Sequence, residues 1–130
     1  MVGFCICGAG RRGQFHARTL RENDKATLQY VYDVIPEAAK ELAERYGARV
    51  APDVQTALAS EDVDAVIITT HAGSHVELVT EAARAGKAIF TEKPLSEDIE
   101  TAINARSYLS NILPIFFRKK IKLSFKLDPL

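Results

Sequence analysis

A chain of 130 residues has room for one domain, and 47% hydrophobic with 26% charged residues is typical of a globular protein. The formal net charge of zero provides no overall field that attracts nucleic acid, so we expect no nucleic-acid partner. The apolar segment Val2–Cys7 is too short to cross a membrane or to act as a secretion signal, and we expect no membrane partner. Cys5 and Cys7 are expected to be buried, reduced side chains, which favours a cytoplasmic location.

The charges are unevenly distributed along the chain. Residues 1–105 contain 11 Lys and Arg against 16 Asp and Glu, whereas residues 106–130 contain 6 Lys and Arg and only Asp128 as an acid. All 18 alanines lie in the first of these segments. We therefore assign residues 1–105 to one domain and residues 106–130 to an atypical basic tail. Alternating polar and apolar residues at 120–127 favour an edge strand in the tail over a membrane-surface helix.

Short apolar segments alternate with amphipathic segments through the first hundred residues, which predicts βα units built on a parallel sheet. The predicted strands, in chain order, are Val2–Cys7, Thr27–Tyr32, Ala48–Ala51, Ala65–Thr69 and Ala88–Thr91. The expected fold is a single-domain α/β structure, a doubly wound parallel sheet of the Rossmann type.

Capping residues define the predicted helices between these strands. The first helix runs from Arg12 to Glu22, and the second runs from Pro36 to a C-cap at Gly47. The third begins after the N-cap Asp53, and the fourth ends at a C-cap at Gly86. For the last helix, Ser96 is the expected N-cap, with Ile99, Ala102 and Ile103 facing the core.

The segment Gly8-Ala9-Gly10-Arg11-Arg12-Gly13 matches the pattern G-x-G-x-x-G and joins a predicted strand to a predicted helix. In that context Gly8 permits a tight turn, Gly10 lets the main chain approach a pyrophosphate, and Gly13 lets helix and strand pack closely. The helix N-terminus then offers free N–H groups to the phosphates. Arg11 and Arg12 lie beside the expected phosphates, either as direct contacts or as solvated charges.

Asp33 ends the second predicted strand, 20 residues after Gly13. An acid at this position accepts hydrogen bonds from the adenosine ribose hydroxyls of a dinucleotide and repels the 2′-phosphate of NADP. Val34 and Ile35 provide no compensating cation. NAD is therefore the expected cofactor, and NADP is the less favoured one.

Ligands of doubly wound sheets lie beyond the carboxyl ends of the strands, where the strand order reverses. We expect the first and fourth strands to flank that point, which places Thr69, Thr70, His71 and His75 near the glycine segment. A threonine hydroxyl or a main-chain N–H there is suited to contact the cofactor. Two histidines four residues apart without a carboxylate partner do not predict a metal site.

The segment Glu92-Lys93-Pro94 follows the fifth predicted strand at the same edge of the sheet. Pro94 disfavours helical geometry at Lys93, so this lysine is expected in an extended loop. A lysine beside a nicotinamide can hydrogen-bond a substrate hydroxyl and stabilise the alkoxide that develops as hydride leaves. A solvated loop lysine is the alternative interpretation.

Four segments together resemble the N-terminal half of the Gfo/Idh/MocA oxidoreductases, over about residues 1–105. They are GAGRRGQFH (Gly8–His16), VYDVIPEAAKELAERYG with Asp33, TTHAGSH (Thr69–His75) and EKPLS (Glu92–Ser96). The resemblance implies NAD(P)-dependent oxidation or reduction of a sugar or cyclitol hydroxyl. It also implies a role for each matching residue: Lys93 as the catalytic lysine, Glu92 and Pro94 shaping its loop, Asp33 binding ribose, and Thr70 and His75 in the cofactor crevice. His71 departs from the pattern, because these proteins usually carry proline there.

The resemblance further implies a second α/β domain that supplies substrate contacts and acid/base residues, and residues 106–130 do not resemble its beginning. We therefore expect a chain that lacks this substrate domain and shows little or no turnover by itself. The alternatives are a non-catalytic NAD-binding sensor, a subunit that borrows a substrate domain, and a fragment without function. The sequence does not determine the oligomeric state.

Overall fold

Five strands form one parallel sheet in the structure, a computed structural model that describes residues 1–112. They are β1 (Val2–Cys7), β2 (Ala26–Tyr32), β3 (Arg49–Val50), β4 (Ala65–Ile68) and β5 (Ala88–Thr91). Their order in the sheet is β3-β2-β1-β4-β5. The chain moves outward from β1 through β2 to β3, then crosses back to pair β4 with the other side of β1. The predicted reversal between the first and fourth strands is thus present.

Helices connect the strands. They are α1 (Arg11–Arg21), α2 (Pro36–Tyr46), α3 (Val54–Ala59), α4 (His75–Arg84) and α5 (Ile99–Ile112), and a short 3₁₀ turn at Ala72–Ser74 precedes α4. Pro36 opens α2, and Gly47 ends it with a left-handed φ of 67°, as the sequence predicts. Within residues 1–112 we find no helix with the length and apolar character needed to cross a bilayer.

The central strands bury side chains on both faces of the sheet, because successive residues of a strand point in opposite directions. Ile6 and Ile67 pack with α1 and α2 on one face. Cys5 and Cys7 pack with α3 and α4 on the other, as free thiols whose Sγ atoms lie 4.0 Å apart. Helices on both faces explain why these strands are apolar throughout. The doubly wound, Rossmann-type α/β fold is confirmed.

The start of α5 differs from the prediction. Asp98, rather than Ser96, caps the helix, because its Oδ2 accepts hydrogen bonds of 2.7 Å from both the N–H and the hydroxyl of Thr101. The Ser96 hydroxyl instead accepts a bond from the Asp98 N–H.

The buried face of α5 also differs from the prediction. Ile99 and Ile103 are 79% and 58% exposed, so their predicted inward orientation is wrong, whereas Ala105 is buried. The helix also continues through residue 112, across the change of composition at residue 106. The edge strand expected at 120–127 lies outside the described residues.

Candidate functional site

A cavity of about 450 Å³ opens beyond the carboxyl ends of β1, β2 and β4. It is lined by five of the residues that the sequence singled out: Gly8, Gly10, Asp33, Thr69 and Thr70. The parallel pairing of β1 with both β2 and β4 brings these three strand ends to the same edge of the sheet. The structure therefore gathers these five residues around one cavity.

Gly8 and Gly13 are glycines because neighbouring main chain leaves no room for a side chain. Gly8 has a φ of 108°, and a Cβ there would lie 2.7 Å from the carbonyl carbon of Thr69. A Cβ on Gly13 would collide with the carbonyl oxygen of Gly8. The turn after β1 and the close approach of α1 to it thus both depend on glycine.

At Gly10, by contrast, no neighbouring atom of the described residues excludes a side chain. Its φ of −73° and ψ of −164° are extended geometry open to any residue, and a Cβ there would meet no atom within 4 Å. Gly10 is also the N-cap of α1, and no side chain caps that helix. The first N–H groups of α1 and the space over Gly10 together fit a group that brings negative oxygen close to the main chain.

Asp33 links the end of β2 to the glycine turn. Its Oδ2 accepts a hydrogen bond of 2.7 Å from the N–H of Ala9, and its Oδ1 accepts one of 2.8 Å from the N–H of Ile35. Each carboxylate oxygen has more than one acceptor site, so Asp33 can still accept bonds from a ligand in the cavity that it lines.

Two threonines at the end of β4 form the opposite wall. The Thr69 hydroxyl donates to the Gly8 carbonyl oxygen at 2.8 Å, which joins this wall to the glycine turn. The Thr70 hydroxyl lies 2.6 Å from the hydroxyl of Ser74, at the end of the 3₁₀ turn. His71 is exposed and also lines the cavity, at the position where the sequence departs from its resemblance.

Three acidic residues that the sequence analysis did not assign to the crevice also line the cavity. They are Asp53, the N-cap of α3, and Glu77 and Glu81 of α4. Hydrogen bonds from the side chain and then the N–H of Thr56 lower the pKa of Asp53, which keeps it charged. The i, i+4 spacing of Glu77 and Glu81 could have placed both on one helix face, but only the fold turns that face toward the cavity.

The remaining predicted residues lie outside the cavity lining. Arg11 and Arg12 are exposed at the start of α1. The Nε of Arg12 lies 3.5 Å from Oε1 of Glu92, and Nε2 of His16 lies 2.8 Å from the same oxygen. Glu92 is thus bound to α1, and its contact with His16 is one that the sequence analysis missed.

His75 is 1% exposed at the start of α4, so it lies behind the cavity wall. Its Nδ1 and Nε2 lie 2.7 Å and 2.8 Å from the carbonyl oxygens of Pro94 and Thr70. Lys93 follows β5 and precedes Pro94 through a cis peptide bond. Among residues 1–112 we find no group of three His, Cys, Asp or Glu side chains placed to hold a metal ion.

A family model for the Gfo/Idh/MocA group, described as an oxidoreductase family with an NAD-binding Rossmann fold, matches residues 2–110. An inositol 2-dehydrogenase of Rhizobium meliloti strain 1021 is 43% identical over 99 residues, which are 76% of this chain and 30% of the relative. The chain thus spans about 30% of the length of that relative.

Solved structures show the same likeness. The myo-inositol dehydrogenase of Lactobacillus casei in complex with NAD(H) and myo-inositol has a TM-score of 0.78 and 32% identity, over 82% of this chain and 32% of that one. A protein of Desulfitobacterium hafniense described as an NADPH-dependent oxidoreductase has a TM-score of 0.77 and 28% identity, over 87% and 31% of the two chains. The descriptions of these structures name both nicotinamide cofactors.

Proposed function

The chain belongs to the Gfo/Idh/MocA oxidoreductases, and from that premise we propose that its crevice binds NAD in preference to NADP. The observation that carries the proposal is the open space over Gly10 at the uncapped N-terminus of α1, directly beside Asp33. No neighbouring atom requires glycine at this position, whereas a diphosphate held by the main chain would require it.

Each wall of the crevice has a proposed task. Gly8, Gly10 and Gly13 hold the turn and leave the N–H groups of α1 free for phosphate oxygens, with Arg11 and Arg12 adding positive charge nearby. Asp33 accepts bonds from the adenosine ribose, and Thr69 and Thr70 form the wall opposite it. When bound, NAD supplies the hydride acceptor, chemistry that protein side chains do not provide.

The charge of the cavity supports NAD over NADP. Asp33, Asp53, Glu77 and Glu81 all line it, and its lining includes no Lys or Arg among the described residues. A charge pair at 4 Å contributes about 1 kcal/mol in water and about 4 kcal/mol at the effective dielectric constant of a protein surface. A 2′-phosphate beside Asp33 would therefore weaken binding substantially.

Lys93 is the residue that we propose as catalytic. It follows β5 at the sheet edge that carries the crevice, where its ammonium can donate a hydrogen bond to a substrate hydroxyl and stabilise the developing alkoxide. The proposed substrate is a sugar or cyclitol hydroxyl, supported by the inositol dehydrogenases among the relatives. A reducing, cytoplasmic location suits the two free thiols of β1.

Titration of the purified chain with NADH and NADPH, followed by nucleotide fluorescence, tests the cofactor proposal. We expect NADH to bind at least tenfold more tightly than NADPH. Asp33→Ser should weaken NADH binding about tenfold, because the hydrogen bond from the ribose to the charged carboxylate is lost. It should also reduce the preference for NADH over NADPH, because the repulsion between the carboxylate and the 2′-phosphate is lost.

Asp24→Ser, which replaces an exposed acid outside the cavity, is the matched control and should leave both affinities unchanged. Thermal melts of the variants separate lost binding from lost folding, since Asp33 also bonds the N–H of Ala9. Equal affinities of the wild-type chain for the two nucleotides would refute the preference.

A further inference from the structure

Lys93 lies between two residues that are each bound to a histidine from a different helix. Before it, Glu92 contacts His16 of α1. After it, the carbonyl oxygen of Pro94 contacts His75 of α4. We call His16 and His75 the histidine clamp. Neither histidine lines the cavity, and the proposed function gives neither a direct contact with a ligand.

The first half of the clamp is a partly buried pair. Nε2 of His16 lies 2.8 Å from Oε1 of Glu92, and the two side chains are only 15% and 16% exposed. The ring of Phe90 on β5 packs edge-on against the His16 ring, with centroids 5.1 Å apart. Arg12 approaches the same carboxylate oxygen at 3.5 Å. Glu92 is therefore held against the helix that begins at the glycine turn, by contacts partly shielded from water.

The second half of the clamp is buried. His75 spans the carbonyl oxygens of Thr70 and Pro94 with its two ring nitrogens, at 2.8 Å and 2.7 Å. One imidazole thus joins the end of β4, which forms a cavity wall, to the loop that carries Lys93. Because both partners are carbonyl oxygens, the neutral ring donates to one of them and contacts the other through its second nitrogen, so either tautomer ties the ring to both segments.

We propose that His16 and His75 are positioning residues that fix the loop of Lys93 relative to the crevice. The inference rests on the proposed function, in which Lys93 acts beside the bound cofactor. The loop follows a short strand at the edge of the sheet, so the path of its main chain depends on contacts on both sides of Lys93. A displacement of about 1 Å in such a group is enough to impair its action.

Hydrogen exchange followed by mass spectrometry tests the anchoring without any ligand. We expect His16→Leu, which leaves no donor for Glu92, and His75→Gln each to speed exchange in peptides covering residues 91–97 about tenfold, while peptides of β1 and β4 keep their rates. Lys40→Gln, on the exposed face of α2, is the control and should leave the exchange rates of both sets of peptides unchanged. Unchanged exchange in residues 91–97 of His16→Leu overturns the proposal, and this partly exposed position remains informative if His75→Gln fails to fold.

A double-mutant cycle with Lys93→Ala tests whether the clamp acts through the lysine. Lys93 is also proposed to contact the bound cofactor beside the nicotinamide. In the wild-type background we therefore expect His16→Leu to weaken NADH binding several-fold, and in the Lys93→Ala background to have no further effect. An effect of equal size in both backgrounds, or none in the wild-type background, overturns the positioning role. If wild-type protein does not bind NADH, the proposed function fails, while the exchange rates still decide whether the clamp holds the loop.

Discussion

Gly10 and Gly13 belong to one hexapeptide but are glycine for different physical reasons. At Gly13 the carbonyl oxygen of Gly8 occupies the position of a side chain, so the requirement lies within the fold. At Gly10 the surrounding space is open, so the fold of the described residues does not require glycine, and the proposed cofactor would provide the reason. The pattern G-x-G-x-x-G does not distinguish these two cases, because it records spacing and not surroundings.

Replacement of each glycine by serine separates folding from binding. Gly13→Ser should destabilise the protein by roughly 1–3 kcal/mol, because main chain must shift to admit the side chain. Gly10→Ser should leave the melting temperature unchanged or raise it, since serine is a good N-cap in this extended geometry, yet weaken NADH binding at least tenfold. Thermal melts with NADH titrations measure both effects. Tight NADH binding by Gly10→Ser would contradict the assignment of the space over Gly10.

Two helix N-termini among the described residues are each capped by one aspartate side chain. Asp53 caps α3 through a bond of 2.7 Å from the N–H of Thr56, and the Thr56 side chain and N–H lower the pKa of Asp53. Asp98 caps α5 in the same way through Thr101, with the pKa of Asp98 lowered likewise. In both cases the charged carboxylate is the form that the folded protein favours.

This predicts an acid-dependent loss of stability. A carboxylate whose pKa is lower in the folded state stabilises the fold above its ordinary pKa of about 3.9, and this contribution is lost as the pH falls through the lower, folded value. Asp53→Asn keeps a capping oxygen that does not titrate, so its melting temperature should fall less than that of wild-type protein between pH 6 and pH 3.

Asp53→Ala provides the comparison, because it removes the cap at every pH. Its melting temperature at pH 6 should be lower by on the order of 5 °C. Equal pH dependence in Asp53→Asn and in wild-type protein would show that other carboxylates dominate acid unfolding.

The molecule as a whole places one crevice at the reversal of its sheet, and α3 and α4 contribute acids to it from the face opposite α1. The crevice thus has the N-terminus of α1, the positive end of the helix dipole, on one side and negatively charged carboxylates on the other. In the proposed function this asymmetry would orient the dinucleotide, since phosphates favour the first side and uncharged hydroxyls the second.

A polypeptide of these 130 residues, assayed by itself, is expected to bind NADH but to turn over slowly or not at all. Hydride transfer requires a bound and oriented substrate as well as a cofactor, and the aligned part covers only about 30% of a relative named inositol 2-dehydrogenase. Steady-state assays measure the turnover rate with inositol and common aldoses as substrates. NADH binding is confirmed in the same preparation. Ordinary dehydrogenase rates would refute it.

Local chemistry made much of the fold predictable from the sequence. Strand β1 ends at Cys7, α2 begins at Pro36 and ends at Gly47, and Asp53 caps α3, all as expected. These features depend on residues within one turn or one strand of each other. The choice between two neighbouring caps was less predictable, because Ser96 and Asp98 are both suited to the role and only their final hydrogen bonds differ.

By itself the sequence determined the alternation of strands and helices, the glycine turn and the acid that follows β2, since periodicity and spacing record them directly. Only the tertiary structure decided which side chains meet: Glu92 with His16, 76 residues away, His75 between two loops, and the acids of α3 and α4 around one cavity. The physical reason is that such contacts depend on how helices rotate against the sheet, and burial of the whole apolar surface sets that rotation.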